Sequence, residues 1–256
     1  MTETYADYQF EKLLSDASGE SGIGIGCLTK KDLEVFQEVI KSQYIKVLSK
    51  YDKASANPDL AIDKYHETQI AKSGAHNEIW TLNNRHICKE LVTKLTSTSF
   101  FSALSEQLDW SRILDAINLG YPGIDFRICR PKPYLDGAPL HCDSWFYHPL
   151  NKFSAPTTDF KIKRVKVWFS LHNDKNTGFR YVKGSHKEKY DVSYEERDGL
   201  MKGNLDEKKY KLKINNLIGE CGTFIIFNDD LLHGGFSTEK NTRTSIEFTL
   251  LVKSDE

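Results

Sequence analysis

Hydrophobic positions change their period near the middle of the chain. In "TKKDLEVFQEVIKSQYIKVLSKYDK", Leu33, Phe36, Val39, Ile40, Tyr44, Val47 and Leu48 recur at helical spacing. Thr29, followed three residues on by Asp32, opens that run as a variant of the capping box. "RHICKELVTKL" and "SFFSALSEQLDW" carry the helical pattern on toward Leu119. Beyond it the period falls to two. "IDFRICRPK", "VKVWFSLHN", "GTFIIFND" and "RTSIEFTLLVK" are short runs of β-branched and aromatic residues separated by Gly, Asn and Asp. A block of helices followed by antiparallel strands predicts a mainly β fold with α: a β-sandwich or jelly roll with N-terminal helices packed outside it. No internal repeat and no Pro/Gly/Ser linker interrupts the pattern. Residues 1–256 therefore read as one domain, with 1–119 a mainly helical flank and 120–256 a jelly-roll core. Within that core, 187–216 is a charged, weakly periodic excursion, either a cover over a site or a solvated loop. "SGIGIGCL" gives GxGxG rather than GxGxxG and follows no strong strand, so a short glycine-containing strand is expected there, not a dinucleotide loop.

Composition narrows the function classes. Hydrophobic residues make up 39% and charged residues 28%, an ordinary soluble balance. The formal net charge of -1 gives no long-range attraction to nucleic acid or an anionic membrane. No apolar run approaches the roughly 20 residues needed to span a bilayer. The acidic, amphipathic N-terminus does not read as a signal peptide. Cys27, Cys88, Cys129, Cys142 and Cys221 are odd in number and scattered, without a CxxC pair; this pattern predicts reduced thiols and a cytoplasmic protein. The basic run "KIKRVK" reads as one solvated strand face.

Candidate chemistry concentrates in "PLHCDSWFYHPL". On an extended strand His141 and Asp143 point the same way, and Cys142 points to the other face as a small core residue. Alone, His-x-Asp is a weak metal signal. "FIIFNDDLLHGGFS" offers a third ligand in His233, after an apolar strand and beside two glycines that let the backbone turn closely. Two histidines and one carboxylate on one side of a metal form the facial triad of non-haem Fe(II) oxygenases. Ten residues on, Arg243 and Ser245 share a strand face, while Thr244, Ile246, Phe248 and Leu250 take the other. An arginine aimed into a β-barrel interior is costly unless an anion meets it, and a guanidinium clamps a carboxylate bidentately. A metal triad and a carboxylate receptor at fixed offset together suit a chelating dicarboxylate cosubstrate. A zinc hydrolase would leave the inward arginine and serine unexplained. A silent jelly-roll binding protein would need none of the four in combination. His66, His76, His86, His172 and His186 read as structural. His148 stands near the expected pocket mouth, either touching substrate or on the surface.

The order HxD, distal His, then R-x-S resembles the Fe(II)/2-oxoglutarate dioxygenases, and within them the phytanoyl-CoA dioxygenase-like branch. "VKVWFSLHNDKNTGFRYVKGSHK" is similar to that branch's strand, Asn/Gly turn and Gly-Ser-His loop. The resemblance runs from Asp125 to Val252 and implies a double-stranded β-helix, the cupin-like jelly roll. It implies Fe(II) held by His141, Asp143 and His233, and 2-oxoglutarate held at its far carboxylate by Arg243 with Ser245 assisting. Arg127, on the strand before HxD, is the implied further contact to the cosubstrate. The implied reaction uses O2 to hydroxylate an unactivated C–H of a small-molecule metabolite, releasing succinate and CO2; desaturation or epoxidation is the alternative outcome. "NTG" and "KGSH" depart from the Asn-Gly and Pro-Gly-Ser-His of many relatives, which implies a different cover over the substrate. Asp143 stands where halogenating relatives carry a small residue, which favours hydroxylation.

Overall fold

Alternation along the second half of the chain resolves into two facing antiparallel sheets. The computed structural model describes residues 8–52, 61–151, 162–197 and 200–253. Outside them lie the start of the acidic N-terminus, Lys161 of the basic run and residues 198–199 of the charged excursion. The strands are β1 (Ile23–Cys27), β2 (Trp110–Ile113), β3 (Asp125–Cys129), β4 (Ile162–His172), β5 (Asn176–Val182) and β6 (Val192–Arg197). They continue with β7 (Leu200–Leu205), β8 (Ile214–Ile218), β9 (Thr223–Asn228), β10 (His233–Gly235) and β11 (Arg243–Lys253). The larger sheet runs β1-β9-β4-β11, and the far edge of β11 is shared by β3 and β2. The smaller sheet runs β10-β5-β8, and β6 and β7 form a separate hairpin. The result is a jelly roll with helices outside, as expected. The glycine-containing stretch forms β1, an edge strand, so the mainly helical flank supplies two strands to the larger sheet.

Parity on β11 divides the core. Ile246, Phe248 and Leu250 face the helices together with Val165, Val167 and Phe169 of β4 and Phe224 and Ile226 of β9. Phe100 lies at the centre of this layer, its ring 5.1 Å from those of Phe10, Phe169 and Phe224. Each such fully buried side chain contributes roughly 1.5–3 kcal/mol. The opposite face of the larger sheet meets the smaller one through Trp168, Ile225 and Phe227 against Phe179 and Leu217. That inter-sheet layer is apolar over only part of its length; the rest is charged. No helix among the described residues is long and apolar enough to cross a membrane.

The helix Lys30–Leu48 starts as the sequence indicates, with the Thr29 side chain accepting from the Asp32 amide at 3.1 Å. The reciprocal half of the capping box is not formed. The Thr29 amide donates instead to the Tyr8 hydroxyl, and the buried Asp32 carboxylate caps a different helix, Ser99–Gln107. It accepts from Ser99 N, Ser99 Oγ, Phe100 N and the Tyr8 hydroxyl. Asp32 therefore joins two helices and the N-terminal segment, a role that local spacing does not encode. Thr29→Ala should cost about 1 kcal/mol of stability, the usual value of one N-cap. Asp32→Ala, which orphans several buried donors, should cost about 2–4 kcal/mol in the same denaturant titration.

Candidate metal centre

His233 opens β10, and the HxD segment lies against it. His141 N donates to His233 O at 2.8 Å and His233 N donates to His141 O at 2.9 Å, an antiparallel bridge. Gly234 makes this approach possible, because a Cβ there would meet the carbonyl oxygens of Ala138 and Pro139 at 2.8 Å. On the other side Leu232 N donates to Ser185 Oγ at 2.8 Å, so the Gly-Ser-His loop braces the strand that delivers His233. Cys142 is extended and 2% exposed, with its thiol donating to the Asp230 carbonyl, as the parity argument requires. Asp143, however, lies on no strand: it begins the short 3-10 helix Asp143–Tyr147. One extended residue suffices to put it on the side of His141.

The three side chains converge. Ligand atoms of His141, Asp143 and His233 all lie within 4.8 Å of one another. His141 Nε2 is 3.8 Å from Asp143 Oδ1, and His233 Nε2 is 3.8 Å from Asp143 Oδ2. Each ring is oriented from behind. His141 Nδ1 donates to the Pro139 carbonyl at 2.8 Å and His233 Nδ1 to the Leu231 carbonyl at 2.9 Å. A carbonyl can only accept, so each Nδ1 carries a proton and each Nε2 is turned toward the carboxylate. Phe179 stacks on His233 at 5.4 Å, and Phe146 meets His141 edge-on at 5.5 Å. Burial, then the neighbouring His233, pushes His141 down to about 4, so its imidazole stays neutral. Burial alone would raise Asp143; Lys166, then the two histidines, hold it below the usual carboxylate range. Asp143 Oδ2 is buried with no hydrogen-bond donor among the described residues. Two imidazoles anchored through Nδ1, with Nε2 turned to one side, and an ionised, under-satisfied carboxylate form a donor set that suits a divalent cation.

Arg243 and Ser245 point between the sheets, as their parity predicts. Arg243 is 5% exposed, with Nη1 3.2 Å from Ser245 Oγ and Nη2 2.9 Å from Cys129 Sγ. It has no acidic partner among the described residues, and its Nε is buried without an acceptor. The guanidinium reaches across to the smaller sheet. A Cβ on Gly178, whose φ is +70°, would lie 2.5 Å from Arg243 Nε. The glycine of "NTG" thus leaves room for an arginine delivered by a strand of the other sheet. Arg127 is Ser245's partner in the β3–β11 register, and its Nε and Nη2 donate to Glu247 at 2.9 and 2.6 Å.

Several neighbours escaped the sequence reading. "KIKRVK" is not a solvated face: Lys163 is exposed, but Lys166 and Arg164 turn inward in register with Thr249 and Leu251. Lys166 Nζ lies 3.4 Å from Asp143 Oδ2 and Arg164 Nε 2.6 Å from Asp229. Burial, then Asp143, raises Asp229 to about 6 against the pull of Arg164. Burial would raise Glu247 too, but Arg127 and then Lys166 outweigh it and hold the carboxyl well below its ordinary range. Alternation alone marks these positions, since Arg164 and Lys166 share parity with Trp168, and Glu247 with Ser245. The aromatics after HxD also separate. Trp145 packs under the β6–β7 hairpin at Gly203, Phe146 lies against His141, and Tyr147 lies 4.2 Å beneath Arg164. The His148 ring lies 4.5 Å from that of Tyr194 in that hairpin, and Asn151 exchanges hydrogen bonds with Met201. The charged excursion is therefore a hairpin clamped to the segment that carries Asp143.

The chain matches the family model of phytanoyl-CoA dioxygenase over residues 34–245. No match was found among curated proteins. Among solved structures, EctD from S. alaskensis with 2-oxoglutarate and 5-hydroxyectoine is similar over 98% of this chain and 78% of its own, at 12% identity and a TM-score of 0.54. AviO1 from Streptomyces viridochromogenes Tue57 is similar over 96% of both chains, at 9% identity and a TM-score of 0.51. The carbocyclase SnoK from nogalamycin biosynthesis, described as non-heme and alpha-ketoglutarate dependent, is similar over 97% of this chain and 86% of its own, at 13% identity and a TM-score of 0.50. At such identities these three report a shared fold. The family match spans most of the chain, and with it the chain belongs to the phytanoyl-CoA dioxygenase family and is an Fe(II)- and 2-oxoglutarate-dependent dioxygenase.

Proposed function

We propose that this enzyme hydroxylates an unactivated C–H of a small-molecule metabolite, with His141, Asp143 and His233 holding Fe(II) and Arg243 holding the far carboxylate of 2-oxoglutarate. The observation that carries the assignment is the buried Arg243 guanidinium, which has no anion among the described residues and an orphaned Nε. Such a group is costly to keep unless a carboxylate meets it, and Ser245 Oγ beside it adds a donor. Arg127 lies next in register and offers Nη1, the nitrogen outside its pair with Glu247. When bound, the iron supplies the oxidation of 2-oxoglutarate to succinate and CO2, coupled to oxidation of the substrate by O2. The chain's own groups do the positioning. The two backbone-anchored imidazoles fix the ligand face. The Asp143 carboxylate closes the position that a halide would need, which favours hydroxylation over halogenation. Phe146, Phe179 and Phe227 wall the histidines from water.

Under anaerobic conditions, Fe(II) and 2-oxoglutarate should together give a weak visible charge-transfer band, and His141→Ala should abolish it. If no band forms and His141→Ala binds 2-oxoglutarate as well as wild type, the assignment fails. Arg243→Ala should weaken 2-oxoglutarate binding by about 2–5 kcal/mol in calorimetry. Gly178→Ala should cost about 1–3 kcal/mol in thermal melts, because it strains a positive φ and displaces Arg243. Part of that loss should disappear when Gly178→Ala is made in the Arg243→Ala background, since the two residues share one contact.

A further inference from the structure

Among the described residues, β6 and β7 pair with each other and with no other strand. A two-stranded hairpin of this kind is marginal in water unless something else supports it. It has little core of its own: of residues 192–197 and 200–205, only Leu205 is buried. Its support is the segment that carries Asp143. Leu205 belongs to the apolar cluster of Leu140 and Cys142, the residues that alternate with His141 and Asp143. Within the 3-10 helix Asp143–Tyr147, Trp145 lies beneath Gly203, where a Cβ would come within 2.7 Å of Trp145 Cε3. The closest tie is Asn151, which is 8% exposed. Its Oδ1 accepts from Met201 N at 2.7 Å, and its Nδ2 donates to Met201 O and to Phe146 O, both at 2.8 Å. The side-chain amide thus imitates one rung of a β-ladder on the hairpin while it holds the last turn of the 3-10 helix.

We infer that Asn151 is a positioning residue for the Asp143 carboxylate, acting through the hairpin. The order of residues 192–205 and the divalent-metal affinity of His141, Asp143 and His233 are thereby linked. This inference rests on the site assignment given above. Asp143 has no strand to hold it, and its buried Oδ2 meets no hydrogen-bond donor among the described residues. Its backbone is held on one side by Ser144 N, which donates to Asp229 O at 3.1 Å. On the other side it is held by the hairpin contacts. Without them the short helix is free to turn, and the carboxylate leaves the side on which the two imidazoles meet. The imidazoles themselves are fixed by the bridge between His141 and His233 and by backbone carbonyls, so the loss falls on one ligand of three. Linkage makes the effect reciprocal: a cation that fixes Asp143 also steadies the hairpin.

The test titrates the protein with Co(II) alone, read by its visible d–d absorption, and follows hydrogen exchange at residues 192–205 with and without the ion. Exchange of the hairpin amides in wild type should slow several-fold on loading. Asn151→Ala should weaken Co(II) binding by about tenfold or more and shift the d–d spectrum, the sign of a changed ligand set. Gly203→Val, which presses on Trp145 from the hairpin side, should act in the same direction. Thr29→Ala, a cap in the helical layer, should leave affinity and spectrum unchanged, which separates positioning from loss of stability. Co(II) affinity in Asn151→Ala within about twofold of wild type, an equal loss in Thr29→Ala, or hairpin amides indifferent to Co(II) overturns the inference and leaves the site assignment standing. The wild-type exchange comparison decides the matter even if a variant does not fold. Wild type that binds no Co(II), or binds it equally well after His141→Ala, removes the site assignment and this inference with it.

Discussion

The site depends on a pair of main-chain hydrogen bonds between His141 and His233, residues far apart in the chain. Everything that gives the cluster its chemistry follows from that bridge. It places two imidazoles with ring centroids 4.5 Å apart and sets the side on which Asp143 arrives. A long loop must be closed to form it, and the loop-closure entropy is offset by the packing of the two sheets on either side. The Ser185 hydroxyl on Leu232 N and the glycine at 234 remove the two obstacles to the approach, an unsatisfied amide and a steric clash. Because the ring nitrogens are fixed by backbone carbonyls rather than by mobile side chains, the ligand geometry is set by the fold itself.

Strand parity made much of this visible without coordinates. The division of β11 into an Arg243/Ser245 face and an Ile246/Phe248/Leu250 face is a local property of extended chain, so it could be read directly. The opposition of Cys142 to its two neighbours was legible for the same reason, although Asp143 belongs to a 3-10 turn. The helical periodicity of Leu33 to Leu48 likewise reports only on its own segment. What could not be read depended on partners distant in sequence. Asp32 looks like a reciprocal cap for its own helix, yet its carboxylate serves the helix that begins at Ser99. "KIKRVK" looks like a solvated face because basic residues usually are. Lys166 and Arg164 turn inward because Asp143 and Asp229 await them there. The sequence held the alternation that marks them, but not the anions that make it tolerable.

Burying several charges between two sheets is expensive, and here three of the cations are compensated by a near neighbour. The compensation is local and paired: Arg127 with Glu247, Arg164 with Asp229, Lys166 with Asp143. Arg243 stands apart from this scheme, and its isolation is what gives it meaning. Arg127 and Arg164 are paired internally, whereas the Arg243 guanidinium, on the proposed reading, is completed by a ligand.

The two faces of β11 also differ in what surrounds them. Its helix-facing residues are locked into an aromatic layer whose volume any substitution would disturb. Its inward residues lie beside Arg127 of β3 and Arg164 and Lys166 of β4, at the charged end of the inter-sheet layer rather than in the apolar contact of Trp168 with Phe179. The two faces of one strand thus answer to different demands: one to the volume of the core, the other to the balance of charge between the sheets.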